Sequence, residues 1–252
     1  MPSRLDGARR VVGRSRLMEI DDETTPITHP ADWVPPPARE PRQVSPRMPW
    51  TYDQSDPALM LFTAAVQRFN LTFRPGSRIA ELGCAESDWL ERMHRWDPSF
   101  DLIGVDARAQ GRPADGFTLV QGSAMDPTLF EPQSLDWVVL LGALEHFGLG
   151  FYGDAEDPDG DIVTMQQVAR WLRPGGFVYF DVPCQPTYRI AENRHFRSYS
   201  PAAVSARLVP PTLQEINRAY SLPEPHAGTW CHVPTVDRVP YWFVAVLCQR
   251  CP

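Results

Sequence analysis

The chain has 252 residues, room for one good-sized domain and a tail, and its hydrophobic share of 43% is ordinary for a globular protein. The formal net charge is −7, and all 24 basic residues are Arg. That balance disfavours a nucleic-acid partner, which needs clustered cations. The lack of Lys excludes Schiff-base chemistry, Lys-anchored pyridoxal phosphate and a phosphate loop ending in Lys-Ser/Thr.

No apolar run approaches the roughly 20 residues of a bilayer span. The longest, Trp137 to Leu144, has the length of a buried strand, so no membrane partner is expected. Five Cys, an odd number, without a secretory leader predict reduced thiols and a cytoplasmic location. Cys248 and Cys251 form a Cys-x-x-Cys that Cys231-His232 could complete. A second Cys-x-x-Cys is missing, so free thiols and no metal are expected.

Residues 1–47 mix Arg with an acidic cluster (Glu19, Asp21, Asp22, Glu23) and the triplet Pro35-Pro36-Pro37, without hydrophobic periodicity. They read as a disordered or loosely docked Pro/Arg-rich tail. The Arg-rich start, with Asp6 as its early acid, also suits an organellar transit peptide. The domain proper is expected over 48–252. Pro57 to Asn70 carries Leu59, Phe62, Ala65, Val66 and Phe69 at helical spacing. Strands are predicted at Arg78–Leu82, Leu102–Asp106, Phe117–Gln121, Leu135–Leu141, Phe177–Val182 and Tyr241–Cys248, with Leu213–Tyr220 a further partner. Helices fall at Asp88–Arg95 and Ile162–Leu172, the second with Asp161 as its expected N-cap.

Strands alternating with helices imply an α/β, doubly wound, mostly parallel sheet, whose ligand site lies beyond the strands' carboxyl ends at the topological switch. Gly83, Asp106, Gly122, Gly142 and Pro183 occupy such positions. After the first strand comes Glu81-Leu82-Gly83-Cys84-Ala85-Glu86-Ser87, a small-residue turn that lets backbone approach a nucleotide-type ligand. Asp106, followed by Ala107, ends the second strand, where a carboxylate accepts hydrogen bonds from both ribose hydroxyls. Gly122-Ser123-Ala124-Met125 follows the third strand. After the fourth come Leu141-Gly142 and then Leu144-Glu145-His146-Phe147-Gly148. Leu172-Arg173-Pro174-Gly175-Gly176 precedes the fifth.

In order and spacing this series resembles the class I S-adenosylmethionine-dependent methyltransferases. The resemblance covers about Phe62 to Val182 and implies a seven-stranded Rossmann-like sheet with an antiparallel C-terminal strand. It also implies S-adenosyl-L-methionine as cofactor, held by Glu81, Gly83, Cys84, Ala85, Asp106, Ala107, Gly122, Ser123, Ala124, Met125, Leu141 and Gly142. Ala85 and Ser87 depart from the family's glycines, and Ser123 stands where the family commonly has Asp at the adenine edge. A narrower similarity joins 145–154, Asp157-Pro158-Asp159-Gly160-Asp161 and Asn193-Arg194-His195-Phe196-Arg197-Ser198-Tyr199-Ser200 to a small methyltransferase-like family of unknown function.

Methyl transfer to a hydroxyl needs in-line alignment and a base. His146, after the fourth strand, is the expected base, since an unperturbed imidazole titrates near about 6.5. His195 and His232 rank behind it. Arg189, Arg194 and Arg197 suit an anionic group on the acceptor. The expected activity is O-methylation of a small molecule, a sugar or secondary metabolite. An inactive methyltransferase-fold binding or scaffold protein is the alternative, favoured by Ala85, Ser87 and Ser123. An NAD-dependent oxidoreductase shares the ribose acid, yet its Gly-x-Gly-x-x-Gly spacing is missing.

Overall fold

The structure, a computed structural model, describes residues 62, 66, 71, 73–111, 114–221, 230, 231 and 243–252. The tail, the domain boundary at 48, most of the 57–70 helix and His232 lie outside the described residues. Phe62 and Val66, the described part of that helix, are helical and buried.

The central sheet uses β1 (Arg78–Leu82), β2 (Asp101–Asp106), β3 (Thr118–Gln121), β4 (Leu135–Leu140) and β5 (Leu172–Pro183). It continues through β8 (Leu213–Ser221), β9 (Trp230–Cys231) and β10 (Phe243–Arg250), while β6 (Arg189–Ile190) and β7 (Arg197–Ser198) form a separate hairpin. The order β3-β2-β1-β4-β5-β10-β8-β9 makes an 8-stranded sheet, the expected seven strands extended by the short β9. The strands β1 to β5 pair in parallel, and β10 is antiparallel to both neighbours, β5 and β8. The chain steps outward from β1 to β3, then returns to lay β4 on the other flank of β1. Strand order therefore reverses between β1 and β4, which opens a crevice beyond their carboxyl ends.

Alternation along the strands divides two apolar layers. Ala80, Val138 and Val178 face Met165, Val168 and Trp171 of α2 (Gly160–Trp171). Ile79, Trp137 and Tyr179 face Phe62 and the Trp89, Leu90 and Met93 stripe of α1 (Trp89–Trp96). Burial on both faces explains why β4 reads from Trp137 onward as an unbroken apolar run. Ser87 Oγ accepts from the Trp89 amide at 3.0 Å and so helps start α1.

Two local expectations change. The helix α2 begins at Gly160, with Asp159 rather than Asp161 at the cap position. Asp161 is fully buried and accepts from Tyr199 Oη at 3.0 Å and Arg207 Nη2 at 2.7 Å. Charged partners outcompete the single backbone amide that a cap would bind. The strand β5 also starts earlier than expected, at Leu172, and takes in the Pro-Gly-Gly segment with Gly175 at φ 79°.

Gly104, in the middle of β2, lies where a Cβ would come within 2.7 Å of Leu90 Cδ1 and 2.8 Å of both Cys84 Sγ and Leu119 Cδ2. Gly104→Ala should overpack this layer and lower stability by about 1–3 kcal/mol. Urea unfolding of the variant checks this; an unchanged midpoint would show that the layer has slack.

Candidate active site

The turn after β1 is set by packing as much as by any ligand. Gly83 has φ 82°, and a Cβ there would run into the Ala143 side chain in the segment after β4. Ala85 and Ser87 are absent from the positive-φ residues, and Ser87 sits at φ −95°. The two departures from glycine therefore carry no backbone strain.

Asp106 closes β2 with its side chain turned towards this turn and almost buried. Its Oδ2 accepts from the Ala85 amide at 3.1 Å, and its Oδ1 from the Arg108 amide at 2.9 Å. The Arg108 guanidinium also reaches both oxygens, from Nε at 3.1 Å and Nη2 at 3.4 Å. Arg108 then bridges to Glu86 at 2.9 Å and lies over the Tyr152 ring, 4.4 Å from its centroid. Hydrogen bonding to Asp106, opposed by partial burial and reinforced by Glu86, raises the pKa of Arg108. The expected ribose carboxylate thus already holds a cation.

Above these residues lies a cleft of about 440 Å³, within the range of small-ligand sites. It brings together Gly83, Asp106, Ala107, Leu141, Gly142 and His146 from the sequence-predicted set. Gly122, Ser123, Ala124 and Met125 instead line an adjoining pocket of about 20 Å³, room for roughly one water. That pocket shares Gly83, Asp106 and Ala107 with the cleft. Glu81, Cys84, Ala85 and Pro183 line neither; Glu81 and Cys84 are buried beneath, and Ala85 acts through its amide on Asp106. Glu86, Arg108, Tyr152, Asp154 and Asp181 are cleft residues that the strand-end rule did not single out. Tyr152 and Asp154 do belong to the 145–154 stretch that resembles the small family.

His146 stands on the cleft wall. Its Nδ1 lies 2.5 Å from the His195 carbonyl oxygen, so that nitrogen donates and the neutral ring keeps its lone pair on Nε2. Burial lowers its pKa below the ordinary 6.5, partly offset by the bond to His195. Beside it Glu145 is fully buried, and burial together with Asp181 pushes its carboxyl well above the usual range. Its Oε1 is 3.9 Å from His146 Nε2, beyond hydrogen-bond reach. Tyr152 Oη meets His195 Nε2 at 3.0 Å.

The loop that carries His146 is held from behind by Arg197 on β7. Arg197 is fully buried and donates to the carbonyls of Phe147 at 2.6 Å, Pro158 at 3.2 Å, Asp157 at 3.3 Å and Glu145 at 3.4 Å. Its Nε faces Asp161 at 3.7 Å. Arg197 therefore does not serve an anionic acceptor as expected, since its guanidinium is committed to backbone. Arg194 pairs with Glu156 at 2.9 Å, and Arg189 bonds to Thr187 at 2.8 Å. Cys184 is buried, which pushes its thiol up to about 12, and burial likewise raises Cys248. Among the described residues no group of three or more His, Cys, Asp or Glu is placed to hold a metal, and no helix is long and apolar enough to cross a membrane.

Comparison with known proteins adds three findings. A family model described as a Caenorhabditis protein of unknown function, DUF268, matches residues 128–204, which contain both the 145–161 and the 193–200 segments. A search of curated proteins finds no match. Among solved structures, the chain is similar to a 1,6-didemethyltoxoflavin-N1-methyltransferase of Burkholderia thailandensis with bound S-adenosylhomocysteine. The identity is 13% and the TM-score 0.54, over 79% of each chain. An S-adenosylmethionine-dependent methyltransferase of Mesorhizobium loti gives 17% identity and TM-score 0.54 over 78% of this chain and 100% of that one. One from Archaeoglobus fulgidus gives 14% and 0.50 over 75% and 93%. The strand order, the switch-point cleft and these likenesses agree: the chain has the fold of the class I S-adenosylmethionine-dependent methyltransferases.

Proposed function

We propose that the protein is an S-adenosylmethionine-dependent methyltransferase that methylates a hydroxyl of a small molecule, a sugar or secondary metabolite. The observation that carries this reading is the juxtaposition, in one cleft at the switch point, of the Asp106 carboxylate and the His146 imidazole. The residues suit the cofactor. Glu86, Asp88, Asp106, Asp154 and Asp181 line the cleft against Arg108, a carboxylate excess that favours a ligand with sulfonium and ammonium charges. The same excess disfavours a polyanionic acceptor such as nucleic acid.

When bound, S-adenosylmethionine supplies an electrophilic methyl group on sulfur. Asp106 accepts hydrogen bonds from the ribose hydroxyls, Gly83 and Gly142 give the methionyl portion a wall of low bulk, and Leu141 gives it an apolar one. Gly142 has open space where a Cβ would project. His146 takes the acceptor's proton on Nε2 while its Nδ1–H stays on the His195 carbonyl, which orients the ring. A ribose diol competes with Arg108 for the Asp106 oxygens, and a purine against Gly122–Met125 requires more room than the adjoining pocket offers.

Those two features favour a second reading, a methyltransferase-fold protein that binds a partner without turnover. Binding separates the two. Calorimetry should show S-adenosylmethionine binding to the wild type, with Asp106→Ala weakening it at least about tenfold. No heat from a folded wild type would support the scaffold reading.

Base work by His146 fixes a pH dependence. The ring must be neutral to accept a proton, and burial lowers its pKa below 6.5, so transfer should persist at neutral pH and fall off only as pH drops through that lowered value. His146→Gln should slow transfer by about 100-fold or more and leave cofactor affinity unchanged. A pH–rate profile with its midpoint above 6.5, or full transfer by the variant, would remove His146 from this role.

A further inference from the structure

Of the three large apolar side chains that stand exposed among the described residues, two, Phe151 and Phe196, flank the ring of His195. Phe151 is 49% exposed, and its ring lies 4.1 Å from that of His195 at an interplanar angle of 31°. His195 in turn lies 4.9 Å from His146 at 32°. Three rings therefore run in shallowly tilted steps from His146, on the cleft wall, out to solvent at Phe151. Tyr152 stands edge-on beside them, at 85° to His146 and 81° to Phe151. An apolar ring kept half in water is unfavourable, and here it joins the candidate base through one intervening ring.

Polar groups at this end of the stack are already taken. His195 Nε2 meets Tyr152 Oη at 3.0 Å, the His195 amide donates to Asn193 at 3.1 Å, and Arg194 pairs with Glu156 at 2.9 Å. What these groups leave for a ligand is ring face. A sugar laid here would lose water from its hydroxyls without gaining partners, whereas a flat aromatic body stacks. Phe147 and Phe243 continue the apolar lining within the cleft. The strength of the base points the same way. Burial holds His146 below 6.5, and so weak a base suits an acidic hydroxyl. A phenol titrates near about 10, while an aliphatic hydroxyl resembles water at about 15.7.

We propose that the methyl acceptor is an aromatic hydroxyl compound whose ring packs along the step from Phe151 to His195 and whose phenolic oxygen meets His146 Nε2. This rests on the reading of the cleft as an S-adenosylmethionine site with His146 as base, and it sets the sugar aside. In the transfer the phenolic oxygen bonds to the methyl carbon and the electrons of the sulfur–methyl bond return to sulfur. The phenolic proton passes to His146 Nε2, leaving an aryl methyl ether and S-adenosylhomocysteine.

The test uses 2-naphthol and methyl glucoside as probes, by calorimetry on the full chain loaded with S-adenosylhomocysteine. The wild type should bind 2-naphthol at least about tenfold more tightly than the glucoside. Phe151→Ala should weaken 2-naphthol binding about five- to tenfold and leave affinity for S-adenosylhomocysteine unchanged. Ile190→Ala, which removes an exposed apolar side chain outside the ring stack, should leave both unchanged. With S-adenosylmethionine in place, the wild type should convert 2-naphthol to its methyl ether. Equal binding of the two probes, undiminished 2-naphthol binding in Phe151→Ala, or an equal loss in Ile190→Ala would each overturn the inference. So would bound 2-naphthol that is never methylated. Should Phe151→Ala fail to fold, the wild-type preference and a matching loss in Phe196→Ala decide. If the wild type bound no S-adenosylhomocysteine, the cofactor reading itself would fail and take this inference with it.

Discussion

The buried guanidinium of Arg197 is the constraint on which the site depends. A charge fully removed from water needs partners, and Arg197 finds acceptors for its two terminal nitrogens in the carbonyls of Glu145, Phe147, Asp157 and Pro158, with the Asp161 carboxylate facing its Nε as an ion pair. Three pieces distant in sequence are thereby tied together: the loop after β4, the start of α2 and the β6–β7 hairpin. Removing one partner from such a buried pair typically costs about 3–5 kcal/mol. The loop that carries His146, Phe147, Tyr152 and Asp154 has little regular secondary structure of its own, so this anchor gives it a defined shape. Gly148 and Gly160 meet beneath it, where a Cβ on Gly160 would come within 2.7 Å of Gly148 Cα.

Electrostatics then assign the roles inside the cleft. Acidic side chains outnumber basic ones in its lining, and Arg108 draws two of them, Asp106 and Glu86, onto itself. A ribose diol entering here replaces the Arg108 guanidinium at Asp106 with two neutral donors, while the carboxylate excess of the lining favours a ligand that carries positive charge elsewhere. His146 is governed by burial more than by this field, because desolvation is the largest influence on its titration and the charges of Arg108 and Glu86 act on it less, in opposite directions. The adjacent His195 carbonyl fixes which nitrogen keeps the proton. Geometry and charge thus place a neutral imidazole opposite an acidic floor.

Much of the architecture was legible in the sequence. The runs at Ile79–Leu82, Leu102–Val105 and Trp137–Leu140 are apolar on alternating sides because helices cover both faces of the sheet. The strand-end positions follow from topology, which is why Gly83, Asp106 and Gly142 come together as expected. What escaped was the choice of partners between distant side chains. Asp161 sits before a helical pattern and reads as a cap, but Arg207 and Tyr199, well separated in sequence, claim its carboxylate. Arg197 reads as a cation for an anionic group on the acceptor until its burial is known. Arg108, two residues past Asp106, gives no sign in the sequence that its side chain folds back onto that carboxylate. The departures at Ala85 and Ser87 count for less than expected, since the backbone there never enters the left-handed region.

The central claim is that Asp106 grips the ribose of an adenosyl cofactor in the switch-point cleft. A crystal structure with S-adenosylhomocysteine tests it most directly. The account predicts both ribose hydroxyls within hydrogen-bond distance of the Asp106 oxygens, with the Arg108 guanidinium withdrawn from them. Ligand density elsewhere on the protein, or Asp106 still closed by Arg108 with the ligand bound, would contradict it.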